Sequence, residues 1–134
     1  MNRIRVYIAG PYDGPDVITV LSNIRRGVDM ASELMDFGFA PYCPFLDFQI
    51  AFTMRGPSLT KRDYQFTSMA FVECCHAMIL LPGWEGSGGT KREIEEATRL
   101  NIPIFTDKFR LLDWHMNRPR VEVETVMMGT DLEV

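Results

Sequence analysis

Residues Cys75 to Ala97 read C-H-A-M-I-L-L-P-G-W-E-G-S-G-G-T-K-R-E-I-E-E-A, and this stretch decides the fold. Ala77–Leu81 is an apolar run of the length of a buried strand. Pro82–Gly89 holds four glycines and one proline, so it reads as a turn or loop. Thr90 then opens a polar–apolar pattern that fits a helix. A buried strand that ends in a glycine-rich loop at a helix start is where open α/β sheets receive ligands. The loop offers backbone N–H groups, and the helix N-terminus adds partial positive charge. Glu93 is the carboxylate of what reads as the first helical turn.

Working outward, apolar runs and amphipathic stretches alternate. Arg3–Ala9 (R-I-R-V-Y-I-A) reads as the first and central strand, stopping at Gly10-Pro11. Gly10–Pro15 is a loop and Asp16 suits an N-cap. Val17, Val20, Leu21, Ile24, Val28, Ala31, Leu34 and Met35 then recur at helical spacing, until Gly38. Phe39–Tyr42 is a short second strand closed by Pro44. Pro44–Thr60 is the least regular part, a long loop with room for short helical turns, and such loops are often functional. Lys61–Cys75 reads as a helix with Tyr64, Met69, Phe71, Val72 and Cys75 on its apolar side. The helix opened by Thr90 runs to about Leu100, with Asn101 as its C-cap. Ile102–Phe105 is a fourth strand and Phe109–His115 a short helix. Residues 117–134 begin with an alternating V-E-V-E and admit an edge strand, an arm onto a partner subunit, or disorder. Strands alternating with helices imply a parallel sheet covered on both faces. The expected architecture is one α/β domain over residues 1–134, Rossmann-like in its layering.

The bulk properties narrow the function. A chain of 134 residues with 46% apolar content has enough material for a real core. A net charge of −4 argues against binding a nucleic-acid polymer, which needs a basic surface. A single nucleotide is still accommodated, because backbone amides can hold one phosphate. No apolar run reaches membrane-spanning length, and the N-terminal stretch reads as a strand rather than a signal peptide. Cys43, Cys74 and Cys75 do not form a disulfide framework, so a reducing cytoplasm is the expected compartment.

Each candidate motif has a plain structural competitor. Gly86-Ser87-Gly88-Gly89-Thr90 is neither a Walker A loop nor a dinucleotide fingerprint. It reads either as an anion or sugar site or as a tight turn that needs glycine. Thr90-x-x-Glu93 has the pattern of a capping box, and pattern alone favours that role for Glu93. Both readings of Glu93 place an ionised carboxylate near the positive helix end, which suits a nucleophile or base. Tyr7 is either a strand aromatic or a phenol held against a carboxylate or a substrate oxygen. Cys74-Cys75-His76 lacks the second pair that would complete a metal site, and His76 reads as the end of a helix. Phe45, Phe48 and Phe52 either stack on a base or form a satellite core. Lys91 and Arg92 sit badly with the helix dipole, which hints at a phosphate or a partner's carboxylate nearby.

Taken together, these residues resemble the nucleoside 2-deoxyribosyltransferase superfamily, including its small nucleotide N-glycosidases. The matching features are V-Y-I-A-G-P at Val6–Pro11, the C-x-A-M-I-L-L-P-G-W-E run, and S-G-G-T-K-R-E at Ser87–Glu93 followed by Ala97. The resemblance implies a flavodoxin-like parallel sheet and cleavage of an N-glycosidic bond in a 2′-deoxynucleoside or its nucleotide. It implies that Glu93 is the nucleophile on the anomeric carbon and that Tyr7 orients it. Ser87, where the nucleoside transferases tend to carry Asp, tilts the substrate towards a 5′-monophosphate. Gly10, Pro11, Tyr12, Gly88 and Gly89 would hold sugar and phosphate, and Phe45, Phe48 and Gln49 the base. The chain departs from the family at Ser68 and His76, where Asp is usual. Asp63, Asp47 or Glu73 could supply the carboxylate lost at Ser68.

The expected protein is therefore an N-glycosidase of a deoxynucleoside 5′-monophosphate, needing no metal or organic cofactor. A 2-deoxyribosyltransferase, with a second base in place of water, is the alternative within the family. A nucleotide-binding module in which Glu93 is only a cap is the alternative outside it. Small size, the apolar residues Val121, Val123, Val126, Met127 and Met128, and the family habit of completing a site across subunits all point to a homodimer or higher homo-oligomer.

Overall fold

Val6, Tyr7, Ile8 and Ala9 are fully buried, which puts β1 (Arg5–Ala9) in the middle of a sheet. The computed structural model describes residues 2–119. β1 pairs in parallel with β2 (Ala40–Tyr42) on one side and with β3 (Ala77–Leu80) on the other. β4 (Ile104–Phe105) pairs in parallel with β3, so the strand order is β2-β1-β3-β4. This is a doubly wound α/β sheet in the flavodoxin-like order, as expected. The crossovers are α1 (Val17–Asp36), α2 (Lys61–Val72) and α3 (Gly88–Arg99), and α4 (Lys108–Met116) follows β4.

Alternation along the strands sorts the core into two layers. Val6, Ile8 and Ile79 pack with Leu34 of α1 and Leu111 of α4. Tyr7, Ala9, Met78 and Leu80 face the other way, onto Val72 of α2 and Ala97 of α3. Because Tyr7 belongs to the second set, its ring points at the pair of helices that flank the organising loop.

The helix ends follow local chemistry. Asp16 caps α1 by accepting the Thr19 N–H at 2.7 Å. Thr60 and Asp63 form a reciprocal capping box at the start of α2. α1 stops at Gly38, whose φ of +94° is left-handed and suits a residue without a side chain. Asn101 takes the corresponding left-handed position after α3, with φ 59°, while Leu100 is the cap. Pro44–Phe52 is a 3-10 helix rather than irregular loop, and α2 ends at Val72 rather than Cys75.

Two expectations about packing need correction. The buried stripe of α1 is Asn23, Gly27 and Leu34, with Ile24 and Ala31 beside it. Val17, Leu21, Val28 and Met35 are exposed. The expected stripe holds Ile24, Ala31 and Leu34 of this face but misses its centre, which is a polar residue and a glycine. His76 does not end a helix. It precedes β3, its N–H donates to Arg5 O, and its Nδ1 accepts the Arg5 N–H at 2.9 Å. Burial and the nearby Arg5 charge lower its pKa, so it serves as a neutral acceptor. The expected C-terminal arm or strand, with its apolar residues Val121–Met128, lies outside the described residues. Among the described residues no helix is long and apolar enough to cross a membrane.

Gly27 is where α1 meets the 3-10 segment. A Cβ there would stand 2.4 Å from the Phe45 ring and 3.0 Å from Cys43 Sγ. Gly27→Ala gains about 1 kcal/mol of helix propensity but wedges the two segments apart. Overpacking should dominate, with a net loss of about 1–3 kcal/mol, read as a lower urea midpoint at unchanged slope. An unchanged or raised midpoint would mean that Phe45 yields freely.

Candidate active site

The chain leaves β1 towards β2 on one side and later fills β3 on the other, so the strand order reverses between β1 and β3. At such a reversal the loops after the two strands part and leave a crevice. Here the crevice is a cleft of about 610 Å³. Gly10–Asp13 after β1 forms one lip, and Gly86–Gly89, running into the first turn of α3, forms the other. Gly10 is required by close approach, since a Cβ there would lie 2.7 Å from Leu81 Cβ. Asn23, buried on α1, donates to the carbonyls of Tyr12 and Asp13 at 3.1 and 3.3 Å and so fixes the first lip.

Glu93 and Tyr7 meet at the floor. The Tyr7 hydroxyl donates to Glu93 Oε2. Tyr7 is fully buried and its ring stacks on Tyr42 at 5.6 Å, which stacks in turn on Phe71 at 4.3 Å. The Ser68 side chain, on α2, is near enough to the Tyr7 phenol to oppose part of the rise in its pKa. Burial pushes the Glu93 carboxyl up to about 7, with the Tyr7 hydrogen bond opposing that rise. Burial, then the Glu93 charge, raise the Tyr7 phenol well above its ordinary value, so it remains a donor.

The helix start differs from the capping-box reading. Ser87 is the N-cap of α3, and its Oγ accepts the Thr90 N–H at 3.2 Å and the Thr90 hydroxyl at 2.9 Å. The helix therefore begins at Gly88, Thr90 is buried inside it, and Glu93 falls in the second turn. Glu93 makes no return bond to Thr90; its carboxylate is turned into the cleft and onto Tyr7. Ser87 accepts through both of these bonds, which leaves its own hydroxyl hydrogen free to donate.

Most of the expected site residues come together. Gly10, Pro11, Tyr12, Ser68, Ser87, Gly88 and Gly89 line the cleft with Glu93, as do Phe45 and Phe48. Gln49 does not. The 3-10 helix repeats every three residues, so Phe45, Phe48 and Ala51 share the cleft side, whereas Gln49 points to solvent. Phe52 is also outside, 81% exposed. Of the carboxylates that could replace an Asp at position 68, only Asp47 lines this cleft, and burial raises its pKa. Asp63 is committed to its cap, and Glu73 lies beyond the far end of α2.

Lys61, Tyr64 and Gln65 also line the cleft and had no site role assigned from the sequence, and Arg92, whose place by the helix start hinted at a phosphate or a partner's carboxylate, lines it too. A signal for two of them, Lys61 and Gln65, was present. Lys61, Gln65 and Ser68 form a polar stripe at i, i+4 and i+7 of α2, on a face otherwise read as apolar. Among the described residues no group of three or more His, Cys, Asp or Glu side chains is placed to hold a metal ion.

Residues 4–107 match the model of a family described as Domain of unknown function (DUF7768). The chain belongs to this family. The DUF7768 match takes in β1 through β4 and every residue of the cleft wall. No curated protein matches the chain.

The Glu93 shift has a consequence for stability. Its folded-state pKa of about 7 lies above the usual value of 4.5, so its contribution is present below pH 4.5 and lost as pH rises through 7. Glu93→Gln keeps an acceptor for Tyr7 and cannot ionise. It should melt higher than wild type at pH 8, by at most about 3 kcal/mol, and the gap should close by pH 4.5. A gap that is constant with pH would mean that Glu93 is not destabilised by burial.

Proposed function

We propose that the protein is an N-glycosidase of a 2′-deoxynucleoside 5′-monophosphate, with Glu93 as nucleophile. The observation that carries this reading is a carboxylate turned into a cleft, gripped by a buried phenol and unused by its own helix cap. A carboxylate doing only structural work would be paired with a cation or a backbone N–H, and among the described residues Glu93 has neither partner.

In the first step a Glu93 oxygen bonds to C1′ of the sugar while the C1′–N bond breaks. The base leaves with the bonding pair and takes up a proton. Water then attacks C1′ and displaces Glu93, losing to solvent a proton that offsets the one taken up by the base, and deoxyribose 5-phosphate is released. Tyr7 holds Oε2, which points Oε1 at the sugar. As negative charge leaves the carboxylate on bonding, the phenol's hold slackens, and it is restored on hydrolysis.

The phosphate is assigned to the α3 end of the cleft. Gly88 and Gly89 offer backbone N–H groups at the positive end of a twelve-residue helix, and Arg92 adds a full charge on the same wall. Ser87 can donate its hydroxyl there. This setting supports a nucleotide over a nucleoside, and it agrees with the resemblance to the nucleotide N-glycosidases.

The test is chromatographic release of free base from the deoxyribo- and ribonucleosides and their 5′-monophosphates. Glu93→Gln should lower release by at least about a thousandfold while staying folded. For a nucleophile, kcat/KM should rise with pH through about 7 and then level. Tyr7→Phe removes the bond that favours the charged carboxylate, so this rise should move to higher pH. Release that depends on an added second base would make the protein a transferase. A folded wild type that releases base from no member of the panel, with or without that base, would sink the glycosidase reading.

A further inference from the structure

The cleft contains a buried polar atom that nothing yet described uses. The Tyr64 hydroxyl oxygen is shielded from solvent and has no hydrogen-bond partner among the described residues. Such groups are rare, because an unmade hydrogen bond in a buried place is costly. Phenylalanine would fill the same space without that cost, so the hydroxyl is accounted for if a ligand completes it.

Its position says which part of a ligand. Tyr64 precedes Ser68 by four residues, one turn of α2, so the two side chains share a face. Ser68 lies by the Tyr7 phenol, which donates to Glu93, and all of Tyr64, Ser68 and Glu93 line the one cleft. Tyr64 therefore springs from α2 about one helical pitch, roughly 5.4 Å, further along the wall than Ser68. The phosphate end is on α3, so what reaches α2 is the other end of the substrate. Asp47 stands there too. Asp47 and Tyr64 both line the main cleft and also a smaller hollow of about 80 Å³ beside it. Phe48, next to Asp47, presents a ring to the same space.

We propose that Tyr64 and Asp47 form the base-reading pair of the cleft, Tyr64 donating to a ring acceptor while Asp47 takes the neighbouring N–H. The ligand class is a nucleobase whose edge sets an acceptor beside an N–H donor, flat enough to lie along Phe48. This inference rests on the glycosidase reading, because it takes the Glu93 end of the cleft to hold C1′. Tyr64 and Asp47 set specificity; neither touches the bond that breaks.

The test uses Glu93→Gln as background so that nothing turns over. Calorimetric titrations with the four deoxynucleoside 5′-monophosphates and with base-free deoxyribose 5-phosphate are compared before and after Tyr64→Phe. The best-bound nucleotide should weaken by about tenfold or more, and deoxyribose 5-phosphate should change by less than about twofold. Ligand-free Tyr64→Phe should melt no lower than its parent, since it loses an unpaired hydroxyl. Asp47→Asn, which adds a donor where only an acceptor stood, should reorder the four bases. Unchanged nucleotide affinity in Tyr64→Phe, or equal weakening of the base-free ligand, overturns the assignment of Tyr64. Unchanged base order in Asp47→Asn overturns that of Asp47. In either case base release by wild type would leave the glycosidase reading standing. If wild type neither binds nor cleaves any nucleotide, both readings fall together.

Discussion

The hydrogen bond from Tyr7 to Glu93 is the contact on which the rest of the site depends. It joins the central strand to the helix after the organising loop, across 86 residues of chain. Neither partner could sit where it does alone. A fully buried phenol needs an acceptor, and a half-buried carboxylate needs a donor. The parallel sheet makes the meeting geometrical. Residue alternation sends Tyr7 to the α2/α3 side, where its hydroxyl meets Glu93 in the second turn of α3.

Around that contact the protein accepts several local costs. Gly10 and Gly27 give up helix or loop stiffness to allow close approach. The Tyr64 hydroxyl is buried unpaired, and Asp47 is held where ionisation is disfavoured. These concessions converge on the cleft, while the helix ends and the sheet obey ordinary rules. Close approaches and unsatisfied groups gathered at one place, in an otherwise consistent fold, are what a binding site is expected to look like.

Most of the fold was legible because it rests on strong periodic signals. The runs Val6–Ala9 and Ala77–Leu80, the glycine-rich junction and the order of elements all follow from pattern. The faces of the helices were less legible. On α1 the buried stripe runs through Asn23 and Gly27, since Asn23 is needed to tie down the Tyr12–Asp13 carbonyls and Gly27 to admit Phe45. Hydrophobicity cannot announce a face built from a polar tether and a missing side chain. Gln49 failed for a different reason. It lies in a segment whose period of three is set by tertiary packing, so neighbouring residues diverge and Phe48 enters the cleft without it. The residues within the cleft were found by a family resemblance and by the loop, while Tyr64 could be recognised only once its hydroxyl was seen to lack a partner.

The three-residue difference between the expected and observed helix start reverses the electrostatics of Glu93. As the third residue of a helix it would sit among free N–H groups and be held ionised, well below the usual carboxyl range. In the second turn those N–H groups are satisfied by the helix, the dipole has fallen away, and burial dominates. The carboxyl then lies near neutrality, where the anion is less stabilised before reaction. An anion left partly unsatisfied has more to gain by bonding to carbon than one already neutralised by a cap. The choice of Ser87 over Thr90 as cap leaves Glu93 to Tyr7, and under the proposed function it is also a choice about reactivity, with the amides of Gly88 and Gly89 left for a phosphate.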